Sequence, residues 1–223
     1  MNEKQNDQDS KTYRKPVRFF EKSGVVYPEM SYYIPLENVV NTDNQDIQTM
    51  IDRGRYFSIF APRQSGKTTF FKRLCDRLHQ DRTYIGIILS FQQYEELKKS
   101  EFYAKIEEEL YEQLTKRLKE VGCDKYDTVT HFLENFHLTD HLSFGKLFTE
   151  LNRILLFKKI VIFIDEFDGI PSGELGNFLA TLRDLYQKYK EVKQKALYSI
   201  ALVGIRNITK LVVGGVSPFN IAD

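Results

Sequence analysis

Cysteine is scarce in this sequence: Cys75 and Cys123 are the only two among 223 residues. Two thiols cannot staple a domain of this size, and their scarcity fits a reducing compartment. Net charge is nearly absent too. The 32 lysines and arginines against 31 aspartates and glutamates leave a formal charge of +1, so no global field favours nucleic acid, membrane or an acidic substrate. No hydrophobic run reaches bilayer-spanning length, and MNEKQNDQDSKTYRKP at the N-terminus lacks the apolar centre of a signal peptide. The expectation is a cytoplasmic protein without a membrane partner. His79, His131, His137 and His141 show no HExxH spacing and the cysteines are isolated, which speaks against a zinc site. There is no GxSxG elbow. GVVYP and VVGG do not match a dinucleotide fingerprint.

What is present reads as one soluble globular unit, with 42% apolar and 28% charged residues. Residues 1–15 are a polar tail expected to be disordered, and residues 16–223 form one core whose lead-in covers 16–54. Within the lead-in, PVRFF (16–20) and SYYIPL (31–36) suggest two short strands. NTDNQDIQTMIDRG (41–54) suggests a short helix closed by Gly54, with Ile47, Met50 and Ile51 on one face.

YFSIFA (56–61), TYIGIILSF (83–91), KKIVIFIDEFD (158–168) and LYSIALVG (197–204) are runs rich in β-branched or aromatic residues. Their near-continuous apolarity predicts parallel strands covered on both faces. Between the first two, Phe70, Leu74 and Leu78 keep helical spacing, giving a strand–helix–strand unit. Phe102, Ile106, Leu110, Leu114 and Leu118 stripe a long helix over 95–121 whose lysines and glutamates form a solvated face. Helices are also expected near 127–136 and 143–157, and one after Pro171 that ends before Glu191. The fold class is α/β, a three-layer α/β/α arrangement around a mostly parallel sheet.

The first strand runs straight into APRQSGKT (61–68), one residue away from the phosphate-loop pattern G-x-x-x-x-G-K-S/T, with Ala61 in place of the first glycine. Such a loop ends a strand, wraps a polyphosphate with backbone N–H groups, and opens a helix whose positive end faces the anion. Arg63, Gln64 and Ser65 supply the wrapping backbone and Gly66 the close approach. Lys67 can reach the β and γ phosphates, the Thr68 hydroxyl can ligate Mg²⁺, and Thr69 can touch the α phosphate. A second signal is independent. IVIFIDEFD places Asp165 and Glu166 at the C-terminal end of an otherwise apolar strand, the edge where open α/β sheets bind ligands. A carboxylate there needs a cation or bound water to offset desolvation. Asp165 fits a carboxylate that holds Mg²⁺ through water, and Glu166 fits the base that activates an attacking water.

Asp168 either orients neighbouring polar groups or forms the turn with Gly169. Arg206 and Asn207 follow the fourth strand, where they either sense the γ phosphate or cap the short segment NITKL. Ser199 reads as internal to the sheet. Phe70, Phe71, Tyr186 and Tyr189 read as packing residues.

Together YFSIFAPRQSGKTTF, IVIFIDEFDGIP and SIALVGIRNI resemble the bacterial AAA-like ATPases of the STAND and replication-initiator-like branch of P-loop NTPases, from about Tyr32 to Asp223. The resemblance implies ATP and Mg²⁺ as cofactors, Lys67 and Thr68 as phosphate and metal contacts, Asp165 as the metal-orienting acid, Glu166 as the base and Arg206 as the sensor. It also implies a sheet incomplete at the C-terminus, because such proteins continue past a segment like SPFNIAD into a fifth strand beside the first and a helical lid. The first strand would then lie at an edge open to self-association or a protein partner, unless LVVGG (211–215) or SYYIPL covers it. Nucleic acid would be engaged only through a region outside this sequence. The functions in play are an ATPase, a nucleotide-binding switch with negligible hydrolysis, a small-molecule kinase, and a purely structural interaction protein.

Overall fold

The computed structural model describes residues 30–31, 40–41, 43–60, 66–192 and 197–204. The expected tail, the strand at 16–20, all of the strand at 31–36 except Ser31, and the LVVGG segment lie outside the described residues. In chain order the elements are α1 (Ile47–Asp52), β1 (Tyr56–Phe60), α2 (Lys67–Leu78), β2 (Tyr84–Ser90), α3 (Lys99–Glu120), α4 (Tyr126–Glu134), α5 (His141–Ile154), β3 (Lys159–Asp165), a 3₁₀ turn (Phe167–Gly169), α6 (Ser172–Val192) and β4 (Ser199–Gly204).

The four strands form one sheet in the order β1-β4-β3-β2, and every pairing is parallel. Parallel strands must be joined across a face of the sheet, and helices fill the crossovers. Alternation along each strand divides the core in two. Ile85, Ile87, Leu89, Ile160, Ile162, Ile164, Ile200 and Leu202 face α3, α4, α5 and α6. Phe57, Tyr84, Val161, Phe163, Ala201 and Val203 face α1 and α2, where Phe70, Phe71, Leu74 and Leu78 are buried. This is the expected three-layer arrangement.

Several boundaries differ from the sequence reading. The first helix starts at Ile47, because Asp46 caps it by accepting the Thr49 N–H at 2.6 Å while the Asn41 side chain holds residues 43–45 in a turn. The long helix starts at Lys99 rather than near Glu95. Residues 91–98 form turns in which Phe91 stacks on Tyr94 and Gln93 adopts φ 67°. The last helix runs on to Val192.

The β2 edge of the sheet is closed by side chains. Gln113 of α3 accepts the Ile88 N–H at 2.9 Å and donates to its carbonyl at 2.7 Å. His79 Nε2 accepts the Gly86 N–H at 3.0 Å. Arg117 donates to the carbonyls of Tyr84 and His79. An open strand edge invites pairing with another chain, and three polar side chains occupy this one.

Candidate functional site

The site lies at the C-terminal end of the sheet, where α2 begins and β3 ends. Gly66 is the N-cap of α2 with φ 82° and ψ 9°, a left-handed conformation natural to glycine and strained for a residue with a Cβ. Its carbonyl accepts the first helical hydrogen bond, from the Phe70 N–H at 2.9 Å. The reversal turns Lys67 and Thr68 into the first turn of the helix, where the backbone N–H groups have no intrahelical partners. Lys67 is 8% exposed and Thr69 is buried.

β3 delivers the carboxylates. Five buried residues, Ile160–Ile164, precede Asp165, which is 5% exposed. Alternation along the strand puts Asp165 on the face shared with Phe163 and Val161, the face α2 covers. There the Thr68 hydroxyl donates to Asp165 Oδ2 at 2.6 Å. The other oxygen, Oδ1, accepts the Glu166 N–H at 3.0 Å. One carboxylate thus links the start of α2 to the residue after β3. Glu166 adopts φ 52° and ψ 45°, a left-handed conformation rare for a residue with a side chain. Ser90, paired in register with Asp165, sits exposed at the same end.

Asp168 falls within the 3₁₀ turn that follows Glu166, and its carboxylate lies against Gly204 at the end of β4. Ser199 is buried and donates to the Arg55 carbonyl at 2.7 Å, an internal role. Phe70 and Phe71 are core residues, and Tyr186 packs on Tyr56 and accepts from Arg55 Nη1. Ala61, Arg63, Gln64 and Ser65 lie outside the described residues, as do Arg206 and Asn207. Gly66, Lys67, Thr68 and Thr69 stand together at the start of α2, and Thr68, Asp165 and Glu166 form a connected group. Sequence reasoning did not single out Phe91, Phe167 or Gly204, whose packing around the turn after Glu166 joins residues far apart in the chain.

Among the described residues no group of three or more His, Cys, Asp or Glu side chains is placed to cage a metal ion. Mg²⁺ at a phosphate loop does not require one, because it takes one or two protein oxygens and completes its shell with phosphate oxygens and water. The hydroxyl–carboxylate pair of Thr68 and Asp165 has the hard-oxygen chemistry for that.

Comparison with curated proteins and with solved structures finds no match. A family model described as the AAA domain matches residues 51–212, which takes in β1, the start of α2, β3 and β4. The chain therefore belongs to the AAA-domain family, with a P-loop NTPase fold covering most of its length.

Proposed function

We propose that this chain binds Mg·ATP at the start of α2 and hydrolyses it to ADP and phosphate. The observation that carries this reading is the Thr68–Asp165 hydrogen bond at 2.6 Å, which joins the helix after a left-handed Gly66 to the end of an apolar strand. The positive dipole end of α2 would favour an anion at its first turn, and the Lys67 ammonium adds charge where the β and γ phosphates would lie. Thr68 and Asp165 would hold Mg²⁺, which when bound supplies positive charge to the phosphate oxygens. Glu166 would accept a proton of the attacking water as the water oxygen bonds to the γ phosphorus and the bond from that phosphorus to the β,γ-bridging oxygen breaks, the oxygen leaving with its electron pair on ADP. ATP over other nucleotides and the sensor part of Arg206 are drawn from the resemblance to STAND and replication-initiator-like ATPases, whereas Arg63, Gln64, Ser65 and Thr69 would contact the phosphates as parts of the loop pattern and Asn207 would polarise the water from its position after the fourth strand in sequence. Any strand pairing with a second copy or a protein partner would use the β1 edge, since Gln113, His79 and Arg117 occupy the β2 edge.

Phosphate release by wild type and Glu166→Gln tests the hydrolytic step. The substitution should preserve nucleotide affinity and cut turnover at least about tenfold, because it removes the base and leaves the phosphate contacts. Wild-type turnover that survives the change would place the base elsewhere. Binding without wild-type turnover would favour a nucleotide-held switch.

A further inference from the structure

We infer that Gly204 and Gly169 are positioning residues for Glu166: the missing side chains let the 3₁₀ turn Phe167–Gly169 wedge between the ends of β4 and β2, and the wedge holds Glu166 in place. The inference rests on Glu166 being the base.

Glu166 needs such support. A residue with a side chain keeps a left-handed backbone only where its surroundings over-determine it. Two hydrogen bonds act directly on Glu166. Its N–H donates to Asp165 Oδ1 at 3.0 Å, and its carbonyl accepts the Gly169 N–H at 2.8 Å. Neither explains why the turn cannot slide along the sheet end.

The glycines supply that restraint. A Cβ on Gly169 would run into the carbonyl oxygen of Phe91, just past β2, and the Phe91 N–H donates to the Asp165 carbonyl at 3.0 Å. That side of the turn rests on rigid backbone. A Cβ on Gly204, the last residue of β4, would overlap the Phe167 ring and come within 2.6 Å of Asp168 Oδ2. Phe167 is 1% exposed, so its ring has nowhere to retreat. A Cβ on Gly86 would come as close, 2.5 Å from Cys75 Sγ, but far from this turn, whereas a Cβ on Gly66, Gly122 or Gly173 would meet nothing within 4 Å.

The geometry also separates this restraint from nucleotide binding. Alternation along β4 puts Gly204 on the face of Ile200 and Leu202, which pack with Phe167 against α3 and α6. Lys67 and Thr68 belong to α2 on the opposite face. A methyl at Gly204 therefore pushes first on the turn, whose atoms are the nearest it meets, and on Glu166, and it reaches Thr68 only indirectly, through the Asp165 carboxylate.

Gly204→Ala, Gly169→Ala and the double variant Gly204→Ala/Phe167→Leu test this by turnover at saturating Mg·ATP, calorimetric affinity, and hydrogen exchange of the Glu166 and Gly169 amides. Gly204→Ala should lose about tenfold or more in turnover, hold affinity within about twofold, and exchange faster at both amides. Phe167→Leu should return part of that loss, because it removes the ring Cε1 that the methyl meets most closely and puts a flexible side chain in place of the ring, while Asp168 Oδ2 stays. It should do nothing for Gly169→Ala, where the obstacle is backbone. Wild-type turnover and exchange in Gly204→Ala would overturn the inference, as would parallel loss of affinity and turnover without rescue. A wild type with no turnover would sink the hydrolase reading instead, and amide exchange in the unliganded protein would then decide the wedge by itself.

Discussion

Replacing Gln113 by alanine removes the amide that closes the β2 edge, and the cost can be worked from two hydrogen bonds. Gln113 accepts from the Ile88 N–H at 2.9 Å and donates to the Ile88 carbonyl at 2.7 Å, in a half-buried setting. Each such bond contributes about 1 kcal/mol net. Alanine returns up to about 0.5 kcal/mol through its higher helix propensity in α3. The net loss is about 1.5 kcal/mol, which for a domain of this size lowers the melting temperature by about 3–6 °C. The exposed edge should add a second signature, light scattering that rises during the melt at lower temperature than in wild type. Circular dichroism with simultaneous scattering reads both. Gln113→Glu keeps an acceptor for the N–H but turns the donor to the carbonyl into a repelling oxygen, so it should be no more stable than the alanine variant at neutral pH. A melting temperature within about 1 °C of wild type for Gln113→Ala would refute the reasoning, because water would then serve Ile88 equally well.

Three further outcomes are expected. His79 accepts the Gly86 N–H through Nε2, and burial foremost, with the Arg117 charge next, holds its pKa below the ordinary 6.5. The neutral ring is the folded-state form, so its contribution is complete above about pH 6.5 and falls away as pH drops towards the lower folded value. The slope of stability against pH in that window should flatten in His79→Gln, and an unchanged slope would remove His79 from the edge. Burial pushes the Cys75 thiol up to about 12, whereas Cys123 is part-exposed, so a thiol reagent should label Cys123 promptly and Cys75 only on unfolding. Equal labelling rates in mass spectrometry would contradict the packing around Cys75. Thr68→Ala should abolish most of the gain in nucleotide affinity that Mg²⁺ gives, and a retained gain would exclude Thr68 as a metal contact.

The strands were legible because their burial on both faces leaves near-continuous apolar runs, as in Val161–Ile164, that no surface segment would carry. The helix stripes were legible for the same reason, from Phe102 to Leu118. Helix starts were less so. α3 opens at Lys98, which is not one of the usual capping residues. What marks the start is Glu101 reaching back to accept the Lys98 N–H, and nothing in EELKKSE separates that glutamate from Glu95 or Glu96. The end of α6 was misplaced because Glu191 and Val192 carry no stop signal. The residues of the candidate site were legible as motifs, since a strand–loop–lysine pattern and an acidic strand end each have a chemical reason of their own. Their contact was not. Thr68 and Asp165 stand 97 positions apart, and only the placement of α2 over the face that carries Asp165 brings them together. The edge closure by His79, Gln113 and Arg117, and the turn packed between Phe91 and Gly204, depend on tertiary approach and leave no periodic trace.

The central claim is a nucleotide site at the start of α2, and its most direct measurement is calorimetric titration of wild type and Lys67→Ala with Mg·ATP and with AMP. Lys67 sits 8% exposed in the first turn, immediately after the left-handed Gly66. Its ammonium would act on the β and γ phosphates, which AMP lacks. Wild type should bind Mg·ATP at least about tenfold more tightly than AMP, and Lys67→Ala should lose most of that preference. Equal affinity of the two proteins for Mg·ATP would contradict the phosphate-loop assignment and, with it, the proposed function.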